Sequence, residues 1–184
     1  LVHDIDHITT QGFKSEGDVI VLIGETKAEF GGSELQYVMN GGVSGRPPAI
    51  DLAVEKKVQK AVLGAIQQGI VASAHDLSEG GIAVALAESC ISGGIGATVA
   101  MSSALRPDHL LFSESQSRIL LSAKADQAAA LTAYLTEQGV VHETIGTVGG
   151  SSLKISVNGK AGIEAPVQHL EKVWKDAIPC LMKS

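Results

Sequence analysis

Between Asp51 and Gly94 the chain reads as helix, strand, loop and helix in close succession, and this passage constrains the fold more than any other. Leu52, Val54 or Glu55, Val58, Ala61-Val62 and Ala65-Ile66 recur at three- and four-residue steps, the spacing of an amphipathic helix, with Asp51 placed to cap its start and Gly69 to stop it. Residues 70–74 are strand-like. The residues HDLSEGG then lead into a second helix over 81–91, ended by Ser92-Gly93-Gly94. Hydrophobic residues make up 45% of the 184 and aromatics only 3%, with the apolar content mostly Ala, Val, Ile and Leu. That mixture suits helices packed on a sheet and argues against disorder.

The flanking sequence supplies the sheet. Residues 19–23 form a β-branched run that ends at Gly24, the pattern of a buried strand. Ser33 is placed to cap a short helix over 35–39, closed by Asn40-Gly41-Gly42, and residues 42–50 with Pro47-Pro48 are irregular. Residues 95–101 read as a strand, followed by a loop carrying Arg106-Pro107, a β-rich stretch over 117–123 and a helix over 125–138. Residues 140–148 and 153–157 look like paired strands joined near Gly149-Gly150. Asn158-Gly159 is a second turn leading to a further short strand, and a final helix starts near Pro166 and runs through Trp174. Passages of βαβ type followed by a hairpin favour an α+β fold: a layered sandwich whose mixed, mainly antiparallel sheet is packed by helices. The opening residues 1–16 read as a polar connector and residues 17–184 as the domain.

Composition removes several classes of function. The formal charge is −6 with no cluster of Lys or Arg, so nucleic acid is not an expected partner. The longest apolar runs fall far short of the roughly 20 residues that cross a bilayer, so no membrane partner is expected. Cys90 and Cys180 lie far apart without a CxxC pair, which fits a reducing cytoplasm better than a disulfide framework. The histidines show no metal-ligand spacing and no HExxH occurs, so no protein-bound transition metal is expected. Neither a GxSxG setting for Ser78 nor a Cys beside a His is present, which leaves covalent hydrolysis without support.

Three segments have the composition of ligand-binding loops. In the first, a strand delivers His75, Asp76, Ser78, Gly80 and Gly81 to a helix start, where backbone N–H groups attract anions and glycines admit a phosphate. The same residues also suit plain structural roles, with Asp76 or Ser78 capping the helix and Gly80-Gly81 permitting close packing. In the second, Glu114, Ser115 and Gln116 are lodged between apolar residues. An extended backbone there would turn Glu114 and Gln116 to one side, toward a ligand, or toward an ion pair between Glu114 and Arg118. In the third, Gly24-Glu25-Thr26 through Gly31, Gly32, Ser33 and Glu34 resemble a loose phosphate loop without the Lys-Ser/Thr of a Walker motif.

Taken in order, GDVIVLIG (17–24), GGSELQYV (31–38), AHDLSEGGIAVALAE (74–88) and LFSESQSRILLS (111–122) resemble one family, the synthetase subunit of phosphoribosylformylglycinamidine synthase. The closing VWKDAIPCLMKS is similar to the end of the small bacterial type of that subunit. The resemblance implies a C-terminal domain of the second repeat, in the aminoimidazole ribonucleotide synthetase superfamily, with residues 1–16 as the tail of the preceding domain. It implies a cytoplasmic ATP-dependent ligase of purine synthesis, using ATP, Mg²⁺ and glutamine-derived ammonia on a ribonucleotide substrate. The implied partners are the preceding domains of the same chain, a glutaminase subunit and a small bridging subunit. Catalytic residues are then expected upstream of Leu1, and the 184 residues alone are expected to be inactive. Gly31 to Glu34, His75, Asp76, Ser78, Gly80, Gly81 and Glu114 to Gln116 become candidates for an auxiliary nucleotide or substrate pocket, or for packing against the preceding domain.

Overall fold

A computed structural model describes residues 5–181, with no account of the side chains of residue 6 and residues 178–181. After a single 3-10 turn at Ile5–His7, the order is β1 (Val19–Ile23), α1 (Glu34–Asn40), α2 (Leu52–Gln67), β2 (Ser73–Asp76), α3 (Gly81–Gly93), β3 (Ala97–Met101) and α4 (Pro107–Phe112). It continues with β4 (Ile119–Ala123), α5 (Ala128–Glu137), β5 (His142–Val148), β6 (Ser152–Val157), β7 (Lys160–Pro166) and α6 (Val167–Leu181).

The strands form one seven-stranded sheet in the order β2-β4-β1-β5-β3-β6-β7. Every pairing is antiparallel except β3 with β6. The fold is therefore the expected helix-packed α+β sandwich. Alternation along β1 shows why two helical layers are needed: Ile20 and Leu22 enter one core, with α3 and α4, while Val21 and Ile23 enter the other, with α2 and α5. The second layer covers only part of the sheet. On β3 the burial alternates strictly, leaving Thr98 and Ala100 exposed, and on the same uncovered stretch Lys154 of β6 bridges Glu164 of β7 at 2.9 Å.

Local chemistry fixes most element ends. The Asp51 carboxylate accepts from the N–H groups of Ala53 and Val54, and the Ser33 hydroxyl accepts from Gln36 N–H, so both expected caps form. The Asn158-Gly159 turn joins β6 to β7 as a hairpin.

Several expectations need correction. Residues 140–148 and 153–157 are not a hairpin, because β3 lies between β5 and β6, pairing Ala97 with Val148 on one side and with Leu153 on the other. Nearness in sequence favoured direct pairing, but β3 has a full set of inward residues to bury and takes the central place. The strand read at 70–74 is β2, three residues later, because its register against β4 runs from Ser73↔Ser122 to Asp76↔Ile119. His75 and Asp76 thus belong to the strand instead of the loop. The loop read around Arg106-Pro107 contains α4, a helix with Pro at its first turn that buries Leu110 and Leu111. The β-rich stretch begins at Ile119 instead of 117, since Ser117 takes φ 61°. The helix read over 125–138 is shorter, Ala128–Glu137, after a turn in which Gln127 N–H donates to the Lys124 carbonyl. Pro166 ends β7 and α6 starts one residue later, running to Leu181. The connector at 1–16 is not wholly polar packing either: Phe13 is 2% exposed in the core, with its N–H donating to Ser89 of α3.

Candidate functional site

Residues 113–118 leave α4 and enter β4 through a bend, and the sequence explains the shape. Six polar or charged side chains in a row cannot all be buried against an apolar sheet, so the segment folds around one of them. That residue is Arg118, 2% exposed and among the largest fully buried side chains. Its Nε donates to the Ser115 carbonyl (3.0 Å), Nη1 to Thr26 Oγ1 (3.1 Å) and Nη2 to the Ser113 carbonyl. The expected ion pair with Glu114 does not form. Backbone carbonyls satisfy the guanidinium instead, and Glu114 turns the other way. Burial pushes the Arg118 pKa down to about 10, with Glu29 and Glu114 nearby working against that shift, so the side chain stays charged at neutral pH.

Freed from Arg118, Glu114 joins two other segments. Its Oε1 accepts from Glu34 N–H at the start of α1 and from Gly80 N–H at the start of α3, each at 2.9 Å. One carboxylate therefore serves two helix N-termini, where unpaired N–H groups favour negative charge. Ser115 Oγ ties the same bend to the chain after β1, accepting from Lys27 N–H at 3.1 Å. Gln116 Nε2 donates back to the Glu114 carbonyl, and Ser117 Oγ donates to Glu55 Oε2 of α2 at 2.6 Å.

The three loops singled out in the sequence thus converge on Glu114, though not all of their residues arrive. Glu34 and Gly80 meet on Glu114 and Gly81 packs on Ser113, while Gly31 to Ser33 reach the junction only through Glu34, Ser115 ties to Lys27, and Gln116 lies apart. His75 faces α3, its Nε2 2.9 Å from Glu88 Oε2, while the Asp76 side chain is 80% exposed and Ser78 lies at the surface. Neither Asp76 nor Ser78 caps α3; Gly80 is the N-cap, with no side-chain cap of its own. Gly81 shows the close packing: at φ 63°, a Cβ there would lie 2.5 Å from the Ser113 carbonyl oxygen and 2.9 Å from Phe112 C. Because the segment bends, Glu114 and Gln116 do not share a face. Gln116 is exposed and lines a cavity of about 270 Å³ with Gly24, Asp51, Val54, Ser117 and Val141.

Sequence reading gave no role to Glu88 and marked Thr26 only as part of the loop from Gly24 to Glu34. Glu88 left a signal, as the sole charge in the apolar helix α3. The tie from Thr26 to Arg118 left none, since the two lie 92 residues apart.

The arrangement bears on two implied ligands. Four amides in these loops already have protein acceptors: Gly32 N–H donates to the Ser44 carbonyl and to Gln36 Oε1, Gly81 N–H to Ser78, and Glu34 and Gly80 to Glu114. A phosphate on the amides of Glu34 and Gly80 would have to displace the Glu114 carboxylate. Among the described residues no group of three His, Cys, Asp or Glu converges as a metal site, and no helix is long and apolar enough to cross a membrane. The residues present therefore do not by themselves fit a Mg²⁺–triphosphate.

Comparison with known proteins fits this frame. The chain is 46% identical over 184 residues to the phosphoribosylformylglycinamidine synthase subunit PurL of Alkaliphilus metalliredigens (strain QYMF), covering all of this chain and 25% of that protein. It is 46% identical over 182 residues to the PurL subunit of Moorella thermoacetica, covering 99% of this chain and again 25% of the relative. The chain thus spans about a quarter of the length of these curated relatives. Its fold is similar to that of Thermotoga maritima PurL, with a TM-score of 0.77 at 21% identity over 91% of this chain and 30% of that one. The profile described as AIR synthase related protein, C-terminal domain, matches residues 15–158, and the chain belongs to that family.

Proposed function

We propose that this chain is the C-terminal domain of the second repeat in a synthetase subunit that converts formylglycinamide ribonucleotide to its amidine with ATP and ammonia. The observation that carries this reading is the 46% identity to PurL subunits along the whole chain. The Thermotoga maritima PurL of similar fold is described in complexes with FGAR and with ATP. In the proposed reaction the amide oxygen takes the γ-phosphoryl group and ADP leaves; ammonia then attacks the activated carbon and phosphate departs. Activation is needed because hydroxide is a poor leaving group, and Mg²⁺ bound elsewhere in the subunit would stabilise the transferring phosphoryl. A glutaminase subunit and a small bridging subunit would supply the ammonia, in the cytoplasm.

For this domain we infer a positioning role. Glu114 occupies two amides that an auxiliary nucleotide could use, those of Glu34 and Gly80, which supports packing against the preceding domain over a phosphate site of its own. Gln116, exposed on the cavity beside Gly24 and bonded only through Nε2 to the Glu114 carbonyl, has its amide oxygen available to a ligand. The test is ammonia-dependent amidine formation by the full-length subunit carrying Gln116→Ala. A rise in KM or fall in kcat at unchanged melting temperature supports contact with substrate or nucleotide, whereas unaltered kinetics leaves the scaffold role. Unimpaired turnover by a subunit lacking residues 17–184 would overturn the ligase reading for this domain altogether.

A further inference from the structure

We propose that α1 and the turn after it form a surface on which another domain of the same longer polypeptide docks; the proposal rests on the reading of this chain as one domain of a full-length subunit. The seven-residue α1 buries none of its residues. Tyr37, Val38 and Met39 are 51%, 70% and 73% exposed, and Val43 beyond the helix is 64% exposed. Successive helical residues lie about 100° apart, so these three sweep roughly 200° of the helix surface. The helix therefore stands away from the sheet. It is fastened at its start, through buried Ser33 and the bond from Glu34 to Glu114.

A helix this short is not stable alone in water. An apolar surface clustered in this way is also uncommon on a protein that works without partners. The covering surface is a protein face, because residues 28–45 contain no Lys or Arg and only Glu29 and Glu34 as acids, leaving little to attract a charged partner. It belongs to the same polypeptide, because relatives matching this chain from end to end carry three quarters of their length outside it. A tethered domain is present at high effective concentration, so a modest apolar patch suffices to hold it. Since Glu34 and Gly80 share the Glu114 carboxylate, docking on α1 also bears directly on the start of α3.

The test is peroxide oxidation of the full-length subunit, read at Met39 by mass spectrometry, with Met101 (3% exposed) as the buried reference and free methionine as the exposed one. Met39 is expected to oxidise at least about tenfold more slowly than free methionine, and Val38→Asp in the full-length subunit to restore the fast rate. Oxidation of wild-type Met39 at the free rate overturns the proposal, as does protection that survives Val38→Asp. Protection that changes with protein concentration points to a second copy, and protection that appears only when another protein is added points to a separate subunit; both overturn it too. Turnover is measured on the same preparation. Activity with an oxidisable Met39 refutes the docking surface alone, while a protected Met39 without turnover refutes the ligase reading alone.

Discussion

Helices α1 and α3 begin at the same carboxylate and share little else. Glu114 Oε1 holds the first N–H of α1 and the N-cap N–H of α3, yet α3 buries seven residues and α1 buries none. In α3 the hydrogen bond is one contribution beside a core that includes Ile82, Leu86 and Cys90, all 0% exposed. In α1 it is one of few ties to the body of the domain. An identical local contact therefore carries different weight according to how much apolar surface follows it, because helices in proteins owe most of their stability to packing.

Changes made in the 184-residue chain can break or sharpen this contrast. The largest effect is expected from Leu86→Ala in α3, which opens a cavity at a fully buried site and should cost about 2–5 kcal/mol by chemical denaturation. Gly81→Ala should come next: contact with the Ser113 carbonyl costs about 1–3 kcal/mol as overpacking, and the left-handed backbone adds a further penalty of about 1–2 kcal/mol. Gly41→Ala, at the end of α1, has a similar backbone (φ 68°) with nothing near its Cβ, so only the conformational cost of about 1–2 kcal/mol remains. That pair isolates packing from conformation.

Glu114→Ala strips the acceptor from both helices and should cost about 1–3 kcal/mol, mostly for the buried Gly80 N–H. Hydrogen exchange should rise far more across α1 than across α3, and equal acceleration in both would refute the contrast. The thiol of Cys90 gives an independent reading of α3. Burial pushes it up to about 12, so it should stay unreactive toward a disulfide reagent at pH 8 in the wild type and in Glu114→Ala. The smallest effect is expected from Val38→Ala, within about 0.5 kcal/mol, since the side chain is exposed on this chain.

The two helices also differ in how openly the sequence announced them. Ser33, Asp51 and Gly41 were legible because a cap acts on groups two to four residues away. The amphipathic spacing of α2 and the apolar run of α3 were legible for the same reason. The short α4 was not, because Pro107 and the charged residues around it look like a loop until Leu110 and Leu111 are seen to face the core. At the candidate site, Gly31 to Glu34, Gly80-Gly81 and Glu114 to Gln116 were singled out from composition. The meeting of Glu34 and Gly80 on Glu114 was not visible, since the bonds that join them span 80 and 34 residues. Arg118 and Glu114, natural partners by charge and spacing, turned apart because carbonyls at Ser113 and Ser115 lay closer to the buried guanidinium.

By itself, then, the sequence determined where most helices and strands lie, which residues cap them and which loops are polar enough to bind, because these depend on neighbours within a turn or two of chain. Tertiary structure decided that β3 separates β5 from β6, that one carboxylate serves two helices and that α1 is left uncovered. Strand order and buried polar partners follow from how whole layers pack, and that balance of burial against unsatisfied polar groups is not written in any single segment.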